Sequence, residues 1–143
     1  MLRILLASHG KLAAGMYDTL HLFYSDFENI EYMCGYIDDE GLEHLEHKIE
    51  AYFSSIPSED EIVVITDLFG GSVNTKFVEY QKYNPKKKIY LIAGMNLGLV
   101  MEVLMLDNNE NLKTSIRKII EDSRDSIVYM NDYEVENEIV DEV

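Results

Sequence analysis

The stretch Ile62-Val63-Val64-Ile65-Thr66-Asp67-Leu68-Phe69-Gly70-Gly71-Ser72-Val73-Asn74, IVVITDLFGGSVN, decides how the chain is read. Its first four residues are apolar and β-branched, the composition of a strand buried on both faces. Asp67 stands at the strand end, two glycines follow, and Ser72 opens the next helix as its expected N-cap. Glycines let backbone approach a ligand closely, and a helix start offers N–H groups with no intrahelical acceptor. A carboxylate, an amide-rich turn and a helix start make a polar pocket without a nucleophile better than Ser72. The best candidate elsewhere is His9.

Working outward, Arg3 to Ser8 reads as a first buried strand ending at His9-Gly10. Leu12, Met16, Leu20 and Phe23 recur at helical spacing after it. Glu31 to Ile37 suits a second strand, with Tyr32, Met33, Cys34, Tyr36 and Ile37 favouring a sheet. Asp38 and Asp39 mark a turn rather than a site. Leu42, Leu45, Ile49, Phe53 and Ile56 form a second helical stripe.

Downstream, a third helix runs from about Ser72 to Tyr83, with Phe77, Tyr80 and Tyr83 on one side, and a fourth strand from Ile89 to Ala93. Leu97 to Leu106 is apolar nearly all round and is expected to be well buried, a candidate subunit contact. Asn96 is expected to cap it. Asn108 or Asn109 is the expected cap of a fifth helix carrying Leu112, Ile116, Ile119 and Ile120. Ser126 to Met130 reads as a short last strand, and Asn131 to Val143 as a tail with six acids and no base.

Strands alternating with helices at this spacing predict an α/β fold. Its form is an open doubly wound sheet of four parallel strands, plus a short C-terminal strand expected to be antiparallel. Right-handed crossovers put every strand's carboxyl end on one edge, where ligands bind at the point of reversed strand order. If strands one and three are neighbours, His9 and Asp67 meet there. The carboxylate then fixes the imidazole tautomer and leaves one ring nitrogen facing outward.

Composition narrows the function. The 143 residues suit one domain, which buries roughly two-thirds of its unfolded surface. Twelve basic residues against 27 acidic ones give a net charge of −15, which argues against nucleic acid and anionic membrane surfaces. The apolar runs are too short for a membrane span, and MLRILLASHG lacks the length of a signal peptide. With a single cysteine, Cys34, a cytoplasmic home is expected.

His44 and His47 lie among Glu43, Glu46 and Lys48, a solvated helix face rather than a metal site, and His21 reads as a surface residue. No metal or cofactor is expected. The elbow G-x-S-x-G, the P-loop and the dinucleotide fingerprint are all absent. Where a receiver-type phosphoacceptor would have acids ending strand one, this chain has Ser8-His9.

LLASHGKLAAGM at 5–16, DLFGGSVN at 67–74 and IAGMNLGLVME at 92–102 together resemble the IIA component of the mannose-type sugar phosphotransferase system. The resemblance implies a domain over residues 1–130, with 131–143 as an acidic tail. It implies that His9 is phosphorylated by the histidine phosphocarrier protein HPr and passes the phosphoryl group to a IIB component. That component phosphorylates sugar entering through membrane IIC and IID partners. Asp67 matches the aspartate that orients the histidine, and Gly71 and Ser72 match residues near the phosphoryl group. A homodimer is implied as well, in which the C-terminal strand, here Ser126 to Met130, exchanges between subunits.

Two family prolines are replaced, by Val73 and Gly98, which loosens the loops without removing a catalytic group. A related branch serves dihydroxyacetone kinase, and a phosphorylation-dependent regulatory module on the same fold is the other alternative.

Overall fold

The computed structural model describes residues 1–107 and 111–133. Strands β1 (Leu2–His9), β2 (Ile30–Gly35), β3 (Glu61–Thr66) and β4 (Lys88–Ala93) alternate with helices. These are α1 (Leu12–Leu20), α2 (Leu42–Ser54), α3 (Ser72–Tyr83), α4 (Leu97–Leu104) and α5 (Leu112–Arg124). All strand pairs are parallel, in the order β2-β1-β3-β4. The chain thus runs outward from β1 to β2, returns to β3 on the other side, and places its switch point between β1 and β3.

Both central strands are buried on two faces, as their unbroken apolar runs require. Side chains alternate across the sheet. Ile4, Leu6, Val63 and Ile65 enter one core with Leu20, Val100, Val103 and Ile116. Leu5, Ala7, Ile62 and Val64 enter the other with Leu45, Phe53, Val73 and Phe77. There Phe53 stacks on Tyr80, with centroids 4.4 Å apart and planes at 11°. Buried Ser8 links strand to helix: its hydroxyl accepts from the Ala13 amide at 2.8 Å, satisfying a first-turn N–H of α1.

Several expectations need correction. Ser126–Met130 forms no strand; Met130–Asp132 is a short 3-10 turn, and Ile127, Tyr129 and Met130 are exposed. A strand needs a ladder partner for its backbone groups, and among the described residues no sheet edge pairs with that run. β2 stops at Gly35, because Tyr36 turns into the left-handed region. Leu12, Phe23 and Tyr83 are exposed, and Ala13 takes the buried place in α1.

The cap of α5 is Asn111, whose side chain accepts from the Thr114 amide; Asn108, Asn109 and tail residues 134–143 lie outside the described residues. Among the described residues no helix is long and apolar enough to cross a membrane, and no cluster of three or more His, Cys, Asp or Glu could hold a metal ion.

At the far end of the sheet, buried Asp60 accepts from Arg3 Nε at 2.7 Å and from the N-terminal ammonium at 3.1 Å. The Arg3 hydrogen bond, opposed by burial and aided by the ammonium, holds the Asp60 carboxyl below its ordinary value of 3.8. A carboxyl lowered on folding contributes stability that is complete above its unfolded value and is lost as pH falls through the folded one. Asp60→Asn is therefore expected to lower the thermal midpoint clearly near pH 7. The gap to the native chain should close at about pH 2, as thermal melts at both pH values would show.

Candidate functional site

The β1–β3 pairing ends at Ala7 and Thr66, so His9 and Asp67 emerge side by side at the carboxyl edge. The Asp67 carboxylate accepts two hydrogen bonds on Oδ2, from the His9 backbone amide and from ring Nδ1, both at 2.8 Å. Its Oδ1 is buried with no hydrogen-bond partner among the described residues. An ionised carboxylate can only accept, so the Nδ1 contact requires the ring proton to sit on Nδ1. The Nε2 lone pair is then free, and the Ser72 hydroxyl donates to it at 3.3 Å.

Charge-assisted bonds of the Nδ1 type contribute about 1.5–3 kcal/mol, enough to hold an otherwise free ring. The imidazole remains reachable, with 40% of the His9 side chain exposed against 10% for Asp67. On the loop just after Asp67, Phe69 is 85% exposed.

Two glycines permit this approach. Gly10 follows the histidine with φ +56°, and its amide donates to Gly35 O at 2.7 Å, tying the β1 and β2 ends together. At Gly71 a Cβ would lie 3.2 Å from His9 Cε1 and 3.3 Å from Leu68 O. Its φ of −72° suits any residue, so the constraint is space, not backbone. Gly71→Ala is expected to keep its thermal midpoint while displacing the ring by a few tenths of an ångström. Proton NMR is expected to show the His9 ring signals shifted, beside an unchanged thermal melt.

All four residues singled out in the sequence, His9, Asp67, Gly71 and Ser72, meet here. One assignment changes: the N-cap of α3 is Gly71, and Ser72 is the first helical residue. The extended Gly71 backbone takes the cap position, which turns the serine hydroxyl to the ring instead of to a helix amide. Asn96 caps α4 through the Leu99 amide and contacts Ser123. Tyr36, assigned to a strand on composition, stacks on His9 with centroids 5.4 Å apart and planes at 18°. The available signal was its place just beyond Gly35, the register partner of His9.

The family model for the PTS system fructose IIA component, of the EIIA-man group, matches residues 3–120. The chain belongs to this family. It is thus a IIA component of the mannose-type sugar phosphotransferase system. It is 22% identical over 119 residues to the fructose-specific EIIA component of Bacillus subtilis strain 168, covering 83% of this chain and 80% of that one.

Among solved structures, a chain from Klebsiella pneumoniae described as a candidate phosphoenolpyruvate-dependent sugar phosphotransferase permease superposes with TM-score 0.81. It is 31% identical, with 91% of each chain covered. The mannose/sorbose-specific IIA subunit of Enterococcus faecalis shares the fold of this IIA component. It gives TM-score 0.74 at 18% identity, over 94% of this chain and 98% of that one.

Proposed function

We propose that this IIA component is a phosphocarrier, accepting a phosphoryl group from phosphorylated HPr on His9 Nε2 and passing it to a separate IIB component. The observation that carries the reading is the 2.8 Å bond from His9 Nδ1 to Asp67, which leaves Nε2 as the nucleophile on an exposed ring. The Nε2 lone pair attacks the donor phosphorus, an N–P bond forms at His9, and the donor's N–P bond breaks. Its electron pair stays on the leaving donor nitrogen, and the donor ring, protonated on its other nitrogen as His9 is, leaves neutral. Nδ1 keeps its own proton, so the phosphorylated ring is cationic and Asp67 balances it. In the onward step a nucleophile of IIB attacks the phosphorus, its bond to phosphorus forms as the His9 N–P bond breaks, and the pair returns to Nε2.

A phosphoryl group brings roughly −1.5 to −2 charge into a protein already at −15. The start of α3 offsets up to about 2 kcal/mol of that repulsion when partly buried. The Ser72 hydroxyl, rotated from Nε2 to a phosphoryl oxygen, adds a charge-assisted hydrogen bond. Partial offsetting suits a group held briefly and passed on. IIC and IID would take part only through IIB, at the membrane.

The test is label transfer from phosphoenolpyruvate through enzyme I and HPr, followed by discharge on IIB. The expected result is one acid-labile phosphoryl group per chain, lost when IIB is added. A native chain that takes no label overturns the reading. The exposed run Ile127 to Met130, which follows α5, supports a homodimer in which a second copy covers it. Light scattering is expected to give twice the chain mass of 16.5 kDa; a monomer mass would contradict the dimer.

A further inference from the structure

Asp67 holds the His9 ring at Nδ1 and Ser72 meets it at Nε2, but two edge contacts leave the ring free to rock about the line joining them. A contact on the ring face removes that freedom. Tyr36 supplies it, lying within 18° of parallel to the imidazole. The tyrosine is itself anchored, packed against the core cluster of Leu45, Phe53, Val73 and Phe77.

Its backbone is unusual. Tyr36 has φ +58° and Asp38 φ +55°, the two residues other than glycine with positive φ among those described. For a bulky side chain this conformation is a genuine outlier, and such strain persists where surrounding structure imposes it, often at functional sites. The surroundings here do impose it. Gly10 N–H bonds Gly35 O at 2.7 Å, and a Cβ on Gly35 would lie 3.2 Å from Leu45 Cδ1, so the strand end is pinned directly before the turn. The turn then brings the phenol ring back over the histidine.

We propose that Tyr36 is a positioning residue for phosphoryl transfer, its ring clamping the His9 imidazole in the plane that aims Nε2 at the incoming phosphorus. This rests on the phosphocarrier reading. The aromatic face does the work and the hydroxyl does not, so Tyr36→Phe retains the function. Tyr36→Leu keeps apolar bulk without a flat face, and Tyr36→Gly relieves the backbone while removing the ring.

The test measures kcat and KM for label transfer from phosphorylated HPr in these three variants, together with proton NMR of the native chain. The leucine and glycine variants are expected to lose about three- to tenfold in kcat, the range aromatic pair contacts supply. KM should be unchanged, and the phenylalanine variant should match the native rate. Native spectra should show cross-relaxation between Tyr36 ring protons and the carbon-bound protons of His9, with those His9 protons shifted upfield.

A leucine variant as fast as the native chain, or one altered in KM alone, overturns the proposal. So does a native spectrum without the contact, which decides the matter even if the variants fail to fold. A native chain that takes no label overturns the phosphocarrier reading and this inference together; failure confined to the variants or the spectrum overturns the inference alone.

Discussion

His9→Ala is expected to take no phosphoryl label under conditions where the native chain labels fully. The other three histidines cannot substitute. The His21 ring contacts Tyr17 O at 3.1 Å and lies against Tyr17 and Phe27, with no carboxylate at its nitrogens among the described residues. His44 Nδ1 accepts from the Gly41 amide at the start of α2, and His47 sits on the exposed side of the same helix. Among the described residues neither ring has a carboxylate bonded to its nitrogens as His9 has Asp67. The substitution leaves the Asp67 carboxylate with only the His9 backbone amide, so stability falls by about 1–3 kcal/mol. Circular dichroism should show the fold retained, separating lost chemistry from lost structure. Label persisting in the alanine chain would end the assignment.

Asp67→Asn is expected to slow phosphoryl uptake by about 10²–10⁴, the range over which correctly held acid–base groups act. Two effects combine. An amide turned with its NH₂ toward Nδ1 favours the tautomer protonated on Nε2, which has no lone pair there to attack phosphorus. The neutral side chain also fails to balance the cationic phosphorylated ring. Initial rates of label transfer, with ring nitrogen shifts to report the tautomer, check both. A variant within threefold of native would mean that the carboxylate only holds the β1 and β3 ends together through the His9 amide.

Much of this arrangement was legible in the residues. Parallel strands separated by helices place all carboxyl ends on one edge, so Ser8-His9 and Thr66-Asp67 had only to lie on neighbouring strands to meet. The bounds of α3, Ser72 to Tyr83, were readable because a glycine pair precedes it and Asn84-Pro85 closes it.

Readings that depend on context failed. Ser126–Met130 has the composition of a strand, but a strand exists only where an edge accepts it. Ser72 looked like a cap because serine usually is one, yet Gly71 takes that position and frees the hydroxyl for His9. The aromatic side chain of Tyr36 favours a sheet on composition alone. Its positive φ follows from the pinned Gly35 and the core beneath it, which are tertiary facts that no local propensity carries.

The most direct test of the account is nitrogen-15 NMR of the chain phosphorylated with HPr, reading which ring atom couples to phosphorus. Coupling at His9 Nε2, with Nδ1 still protonated and bonded to Asp67, is the predicted result. Phosphorus on Nδ1, or on any residue other than His9, would contradict it.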